Sequence, residues 1–227
     1  MTYLELARRL RKEAGGSGTD SSPASVDSQT GEMLQLVNWI NTAYEDVQNE
    51  HATWRFLRSD FSFTTTADTQ EYDPTDSGVI TDTDLASWVK DDIRVYESVS
   101  DENYLNYIPW DEFRESYMFG SSRESTGKPI IVSVKPDNNL ILWPIPDDEY
   151  TVNGEYYKTA DVLSGDSDTS IIPTRFQMVI VWRALMYYGA YNAANEKYVH
   201  GENQYKRLIS KMELDQLEDF TYGDPLA

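Results

Sequence analysis

The amino-acid sequence predicts an α+β fold, in which N-terminal and C-terminal helices form a helical bundle and an antiparallel β module is inserted between them. Three observations support this prediction. Apolar residues recur at helical spacing near both ends of the chain, alternating apolar and polar residues occupy the middle, and no internal repeat divides the 227 residues.

The N-terminal part contains two predicted helices. The first covers Tyr3 to Ala14 and is ended by the glycine-rich run that starts at Gly15. The second runs from about Gly31 to Trp54, with Thr30 as a candidate N-cap. Its apolar stripe recurs every three or four residues and consists of Leu34, Val37, Ile40, Tyr44 and Val47.

The middle of the chain, from Asp60 to Tyr157, has the pattern of strands. Ile130 to Val134 and Leu140 to Trp143 flank a turn signal and predict a hairpin. A short helix is predicted to start at Pro109. Two loops rich in Asp, Ser and Thr are expected to be exposed connectors, namely Asp73 to Asp84 and Ser164 to Ser170.

Helical spacing returns after Pro173. Phe176 to Asn192 is apolar almost all round, which predicts a helix buried on several sides, and Glu196 to Asp219 predicts a more polar helix. The expected divisions are therefore residues 1–58 for the N-terminal helices, 59–170 for the insertion, 171–219 for the C-terminal helices and 220–227 for an extended tail.

Charge and composition exclude several classes of protein. The net charge is −20, and residues 59–170 alone contribute −17. Such a surface repels phosphate, which argues against a nucleic-acid binder with a basic patch.

The absence of cysteine excludes disulfides and thiolate sites. We expect a protein without a signal peptide or membrane span, because the N-terminus lacks the signal pattern and the apolar stretch from Phe176 to Tyr191 is short and interrupted.

The residues that usually carry catalysis or bind metals occur without their motifs. The two histidines, His51 and His200, stand alone, and no zinc or catalytic-triad motif is present. Asp82-x-Asp84 and Asp166-x-Asp168 lack the rest of a calcium loop. Acid pairs such as Asp111-Glu112 stand in hydrophilic surroundings, which indicates solvated faces. The sequence predicts no enzyme, no metal and no cofactor.

A series of motifs in a fixed order resembles the tailed-phage head-to-tail adaptor proteins, the ring below the portal. Its centre is Trp54-Arg55-Phe56-Leu57-Arg58, where the second helix meets the first strand. The others are Tyr3-Leu4-Glu5-Leu6, Thr30-Gly31-Glu32, Leu36-Val37-Asn38-Trp39-Ile40, Gly127-Lys128-Pro129, Leu140-x-Leu142-Trp143-Pro144-x-Pro146, Gly154-Glu155-Tyr156-Tyr157, Ile171-Ile172-Pro173 and Ile180-Val181-Trp182-Arg183-Ala184-Leu185.

The resemblance implies a structural protein of the virion neck, assembled in the host cytoplasm. It implies a homo-oligomeric ring of about twelve copies that binds the portal protein on one side and a tail, nozzle or tail-terminator protein on the other, with DNA passing through the lumen. By position, the tail residues Phe220, Tyr222, Pro225 and Leu226 match the extension that docks on the portal. The high aromatic content suits subunit contacts or a tyrosine-rich core, and the candidates for contacts are Trp110, Trp143, Tyr198 and Tyr205.

Two alternatives stand beside this hypothesis. The chain is either another neck component, such as a head-completion or tail-terminator protein, or a carbohydrate-binding or glycosidase-like module. The carbohydrate hypothesis requires Trp88, Trp110 and Trp143 to converge on a cleft with two carboxylates. For the pentapeptide at Trp54, we expect a structural role at the junction between helix and β module.

Overall fold

The computed structural model describes residues 1–15, 22–75, 79–80 and 85–217. The chain forms two compact units: a helical unit, Met1–Leu57 with Ala160–Ala227, and a β unit, Arg58–Thr159. The described helices are α1 (Tyr3–Ala14), α2 (Gly31–Asn49), α3 (Trp110–Tyr117), α4 (Met178–Tyr191) and α5 (Asn195–Gln216). The described strands are β1 (Arg58–Thr64), β2 (Glu71–Tyr72), β3 (Leu85–Trp88), β4 (Arg94–Tyr96), β5 (Asn103–Tyr104), β6 (Asn106–Tyr107), β7 (Ile131–Val134), β8 (Leu140–Trp143) and β9 (Thr151–Lys158). The predicted α+β class with an inserted sheet module is confirmed.

Local signals define the ends of α1. The Thr2 hydroxyl accepts a hydrogen bond from the Glu5 amide (3.2 Å), and the Glu5 carboxylate accepts one from the Thr2 amide (2.9 Å). This reciprocal capping box satisfies two amides that the first helical turn leaves unpaired. Gly15 ends the helix at φ +108°, a left-handed conformation that costs glycine little. The predicted bounds of this helix are confirmed.

The second helix ends earlier than the sequence predicted. It begins at Gly31, as expected, but stops at Asn49 instead of continuing to Trp54. The chain then turns back, so that the fully buried Trp54 donates from Nε1 to the carbonyl oxygen of Val47 (3.0 Å). The Trp54 ring also stacks on Phe56, with centroids 5.5 Å apart. Helical periodicity alone could not indicate this reversal.

A polar stripe on α2 holds the chain where it returns from the β unit. Asn41 exchanges two hydrogen bonds with the backbone of Leu163, at 3.0 and 3.1 Å. The buried Gln48 exchanges two with the backbone of Asp161, at 2.9 and 3.0 Å. Between them, the Tyr44 hydroxyl donates to the Asp161 carboxylate and accepts from the amide of Ile171. Residues 160–170, which the sequence analysis grouped with the insertion, therefore lie against helices of the helical unit.

Helices α4 and α5 pack closely because Gly189 has no side chain. A Cβ atom at this position would lie 2.6 Å from the backbone nitrogen of Tyr198. Helix α4 also packs against α1 and α2 and buries most of its surface, as its apolar sequence predicted.

The β unit contains two sheets that share one core. One sheet has the order β1-β9-β4-β5 with β3 also paired to β9, and the other has the order β2-β8-β7-β6. Among the strands named above, all pairings are antiparallel except that of β6 with β7. Apolar residues of both sheets form the core, which includes Phe61, Phe63, Trp88, Val132, Leu142, Val152 and Tyr156. The hairpin predicted on either side of residues 135–139 is confirmed as β7 and β8.

One of the two loops expected to be an exposed connector contributes to this core. Val79 and Ile80 are 7% and 6% exposed and pack with the sheet residues. The expectation of an exposed segment from Asp73 to Asp84 is therefore wrong at these two positions. Their polar neighbours in the sequence concealed them, since a buried pair inside a loop has no periodicity.

A cation from the Gly127-Lys128-Pro129 motif fixes a turn of the β unit. Lys128 donates to the backbone oxygen of Asp101 (2.8 Å) and forms an ion pair with its carboxylate. The Asp101 carboxylate also accepts from the Ser98 amide. The side-chain hydrogen bond from Lys128 and the bond from Ser98 lower the pKa of Asp101 to about 2.

Replacing Trp54 by Ala should lower the free energy of unfolding by about 3–5 kcal/mol, because a fully buried indole is removed and a cavity remains. Urea denaturation measures this change. Trp54→Phe is the matched control, which keeps most of the ring contacts, loses the hydrogen bond to Val47 and should cost about 1–2 kcal/mol. A loss below about 1 kcal/mol for the Ala variant would show that the indole does not support the core.

Gln48→Leu should cost roughly 1–3 kcal/mol in urea denaturation, because the backbone of Asp161 loses both of its side-chain partners while the buried volume is kept. The control is Asn38→Leu, at an exposed position of the same helix, which should change stability by less than about 0.5 kcal/mol. Equal effects of the two substitutions would contradict a specific role for the α2 stripe.

Asp101→Asn should lower the melting temperature at pH 7, and the difference from the unmodified protein should shrink as the pH falls. The reason is that the pKa of Asp101 is depressed in the folded state, to about 2, relative to about 3.9 in an unfolded chain. Its stabilising contribution is therefore present above about pH 4 and lost toward pH 2. Calorimetry from pH 2 to 7 measures this difference in melting temperature, and Asp111→Asn, at an exposed position, is the control. A difference independent of pH would refute the ion-pair explanation.

Candidate interaction surfaces

The pentapeptide Trp54-Arg55-Phe56-Leu57-Arg58 spans the change from helical to β unit. Trp54 and Leu57 are buried within the helical unit. The guanidinium of Arg55 donates to the backbone oxygen of Asp215 in α5 (3.3 Å). Arg58, the first residue of β1, pairs with Glu155 of β9. Each arginine therefore has a partner in its own unit, a choice that the sequence left open.

Trp110 and Trp143 meet in one aromatic cluster on the β unit. Helix α3 covers the outer face of the four-stranded sheet, and Phe113, Ile131 and Ile141 are buried beneath it. Around them lie the partly buried side chains of Ile108, Trp110, Tyr117, Met118 and Trp143, and we call this group the α3 cluster.

The rings of the α3 cluster are held in place by contacts with each other and with the backbone. Trp110 stacks on Phe113, with centroids 6.1 Å apart, and Tyr117 lies 4.5 Å from Trp143. The Trp143 indole donates to the backbone oxygen of Ser122 (2.8 Å). The two tryptophans thus offer partly exposed apolar surface at fixed positions, as binding surfaces require.

The border of the α3 cluster is predominantly acidic. Asp111, Glu112 and Glu115 are exposed on α3 beside one exposed cation, Arg114, and within the described residues none of the three acids forms an ion pair or a side-chain hydrogen bond. Phe119 follows the helix and is 59% exposed. An apolar centre bordered by unpaired carboxylates matches a partner that has both apolar and basic side chains.

Tyr205 lies inside the helical unit rather than on an open surface. It is 8% exposed, and its hydroxyl donates to the Glu50 carboxylate. Burial and this bond raise the pKa of Tyr205, which keeps the phenol protonated. Next to it, Arg183 donates from Nε and Nη2 to the Asp46 carboxylate (3.1 and 3.0 Å) and lies 5.6 Å from the Tyr205 ring. Burial does not favour the predicted contact of Tyr205 with a partner, whereas Tyr198 is partly exposed at the start of α5.

Helix α5 has an outer face that the sequence analysis did not single out. Leu214 is 84% exposed and Val199 is 42% exposed. Both lie on the side of the helix opposite the buried Tyr205, Ile209 and Met212. Exposed Lys206, Arg207 and Lys211 accompany them. The signal was available, because Leu214 falls off the apolar stripe of its helix.

A second aromatic group missed by the sequence analysis lies between α2 and α4. Trp39 is 6.0 Å from Tyr188 and 5.5 Å from Tyr191, centroid to centroid. Gln35 donates to the Tyr191 hydroxyl (3.1 Å), and Tyr191 is 65% exposed. Trp39 belongs to a motif quoted for the resemblance, but its exposure depends on tertiary packing.

The three tryptophans of the carbohydrate hypothesis do not converge on one cleft, because Trp88 is 4% exposed within the core of the β unit while Trp110 and Trp143 lie in the α3 cluster. The aspartates of one calcium-like loop have structural partners instead. Asp168 accepts from the amides of Ser164 and Gly165, and Asp166 accepts from the amide of Val26. The other such loop, Asp82-x-Asp84, lies outside the described residues.

The described ranges contain neither a candidate group of metal ligands nor a helix able to span a membrane. Within these ranges, no group of three His, Cys, Asp or Glu residues is arranged to hold a metal ion. No helix there combines the length and apolar character needed to cross a membrane. The predicted docking residues Phe220, Tyr222, Pro225 and Leu226 lie outside the described residues.

Comparison with known proteins shows the family of this chain. A search of curated proteins found no match. The family model described as SU10 adaptor protein matches residues 1–226, which include the pentapeptide junction, both units and nearly all of the tail. This match agrees with the resemblance drawn from the motifs, and so do the helical unit with its inserted pair of sheets and the partly exposed aromatic clusters. The chain therefore belongs to the SU10 adaptor protein family, a family of structural phage proteins that serve as head-to-tail adaptors in the virion neck.

Proposed function

We propose that the chain forms a homo-oligomeric ring, of about twelve copies as the resemblance implies, which joins the portal protein to the next tail component. The family match over residues 1–226 is the observation that carries this proposal. In a closed ring built from head-to-tail contacts, every subunit needs two different binding faces. Partly exposed apolar groups on both units, the α3 cluster and the group around Trp39, supply candidate surfaces.

DNA passes through the lumen of the proposed ring without specific binding. The charge distribution supports this part of the proposal. The β unit, Arg58–Thr159, has 21 acidic and 8 basic side chains, a net charge of −13. A channel lined by acidic side chains repels phosphate, so that the DNA does not adhere as it leaves the head.

The C-terminal residues Phe220, Tyr222, Pro225 and Leu226 dock on the portal in this proposal. Aromatic side chains on a short terminal segment can act as anchors that fill pockets on a partner. The segment follows α5, whose last residue is Gln216, and the family match extends through it.

Light scattering and negative-stain microscopy of the purified protein, alone and with the portal protein of the same phage, test the ring. We expect rings, or a monomer that becomes a ring on the portal. A monomer that does not interact with the portal would refute the proposal. Binding to a tail-tube end without binding to the portal would indicate a tail-terminator protein instead.

Truncation after Asp219 should leave the melting temperature unchanged within error and abolish portal attachment, because only the proposed anchor is removed. Co-sedimentation with portal rings measures attachment. Two double variants refine the test. Phe220→Ala with Tyr222→Ala should weaken attachment to the portal, whereas the matched control, Thr221→Ala with Asp224→Ala, should not. Full attachment of the truncated protein would show that the portal is bound elsewhere.

A further inference from the structure

Two outward surfaces of this chain have complementary chemistry. The outer face of α5 combines the exposed Leu214 with the cations Lys206, Arg207 and Lys211. The α3 cluster combines partly exposed aromatic rings with an acidic border. Both surfaces therefore have an apolar centre, and the charges around the two centres are of opposite sign.

The geometry of α5 places its apolar and basic groups on one side. Val199, Asn203, Ser210 and Leu214 follow helical spacing opposite the buried stripe, and the three cations flank them. The ion pair of Lys206 is with Glu202, four residues away, and Arg207 donates to Gln204, three residues away. These exposed local contacts are weak, so that a partner's carboxylates can replace them at little cost.

The acidic border of the α3 cluster is free to accept those cations. Asp111, Glu112 and Glu115 are exposed and have no ion-pair partner within the described chain, although they follow one another within five residues. Arg114 offsets part of their mutual repulsion, and a basic partner would relieve the remainder. The nearby ring of Trp110 offers surface on which Leu214 can be buried.

We propose that the outer face of α5 in one subunit binds the α3 cluster of the next copy of this chain, and that this contact closes the ring. The inference rests on the proposed ring. Two different surfaces, each matching the other and not itself, are what a head-to-tail contact requires. Burial of Leu214 against the aromatic rings provides the apolar core of the contact, and the charges at its border fix the orientation.

Charge reversal with mixing tests the contact. One variant carries Lys206→Glu, Arg207→Glu and Lys211→Glu, and the other carries Asp111→Lys, Glu112→Lys and Glu115→Lys. Each variant alone presents two surfaces of like charge, so the subunit concentration needed for assembly should rise about tenfold or more. An equimolar mixture should assemble again, because each contact then joins opposite charges, and a chain carrying all six substitutions should assemble by itself.

The matched control is Asp60→Lys with Asp91→Lys and Glu97→Lys, an equal charge change at exposed positions of the β unit outside α3. It should assemble like the unmodified protein. Leu214→Ser should weaken assembly while the melting temperature stays unchanged. Assembly is measured by light scattering and microscopy, with and without portal rings, and circular dichroism checks the fold of each variant.

The outcomes separate this inference from the proposed function. If the unmodified protein forms rings and both reversed variants do so equally well, the ring stands and the α5–α3 contact is refuted. Loss of assembly without recovery in the mixture would also refute the contact, since it would assign the charges to another partner such as the portal. If the unmodified protein forms no ring with or without the portal, the proposed function and this inference both fail.

Discussion

The helical unit depends on the way in which α2 binds the returning chain. The unit is built from two segments of sequence separated by the whole β unit, so the chain must leave and re-enter it. On re-entry, the backbone groups of residues 161–171 lose water and need other partners. Asn41, Tyr44 and Gln48 supply them from one face of α2, with spacings of three and four residues. This stripe acts beside the polar contacts between the helices themselves, such as Arg183 of α4 with Asp46 of α2, and directional bonds of this kind fix a register that apolar packing alone does not.

Different constraints shape the β unit. Several of its strands have only two residues, so backbone pairing alone holds little of the structure together. A shared aromatic core joins the two sheets, and the ion pair of Lys128 with Asp101 fixes one of the turns. At Gly154 a Cβ atom would lie 2.9 Å from the Phe61 ring, so the ring occupies space that only glycine leaves open. Lys128 and Gly154, both in motif segments, thus have structural roles in this unit, while the exposed Asp111, Glu112 and Glu115 form no ion pair within the described residues.

Aromatic residues serve two purposes in this chain, and the distinction bears on how an adaptor could assemble. Trp54, Trp88 and Tyr205 are buried and bonded within their own units. The rings of Trp110, Trp143 and Tyr191 are partly exposed and are held in place by neighbouring side chains. Rigid, partly exposed aromatic rings lose little conformational freedom on binding, which suits the assembly proposed above.

Periodic patterns in the sequence determined the class of the fold, the bounds of α1, the start of α2 and the hairpin of β7 and β8, because these features depend on neighbours close in sequence. The ordered motifs indicated the family.

Only the tertiary structure decided that α2 ends at Asn49, that Val79 and Ile80 enter the core, and that Tyr205 is internal. It also decided which aromatic and charged residues form surfaces, since the α3 cluster joins side chains from α3, β7 and β8, and the exposure of Leu214 depends on how α5 packs on α4. These properties arise from contacts between distant segments, and burial, unlike helical or strand periodicity, is not encoded by near neighbours in the chain.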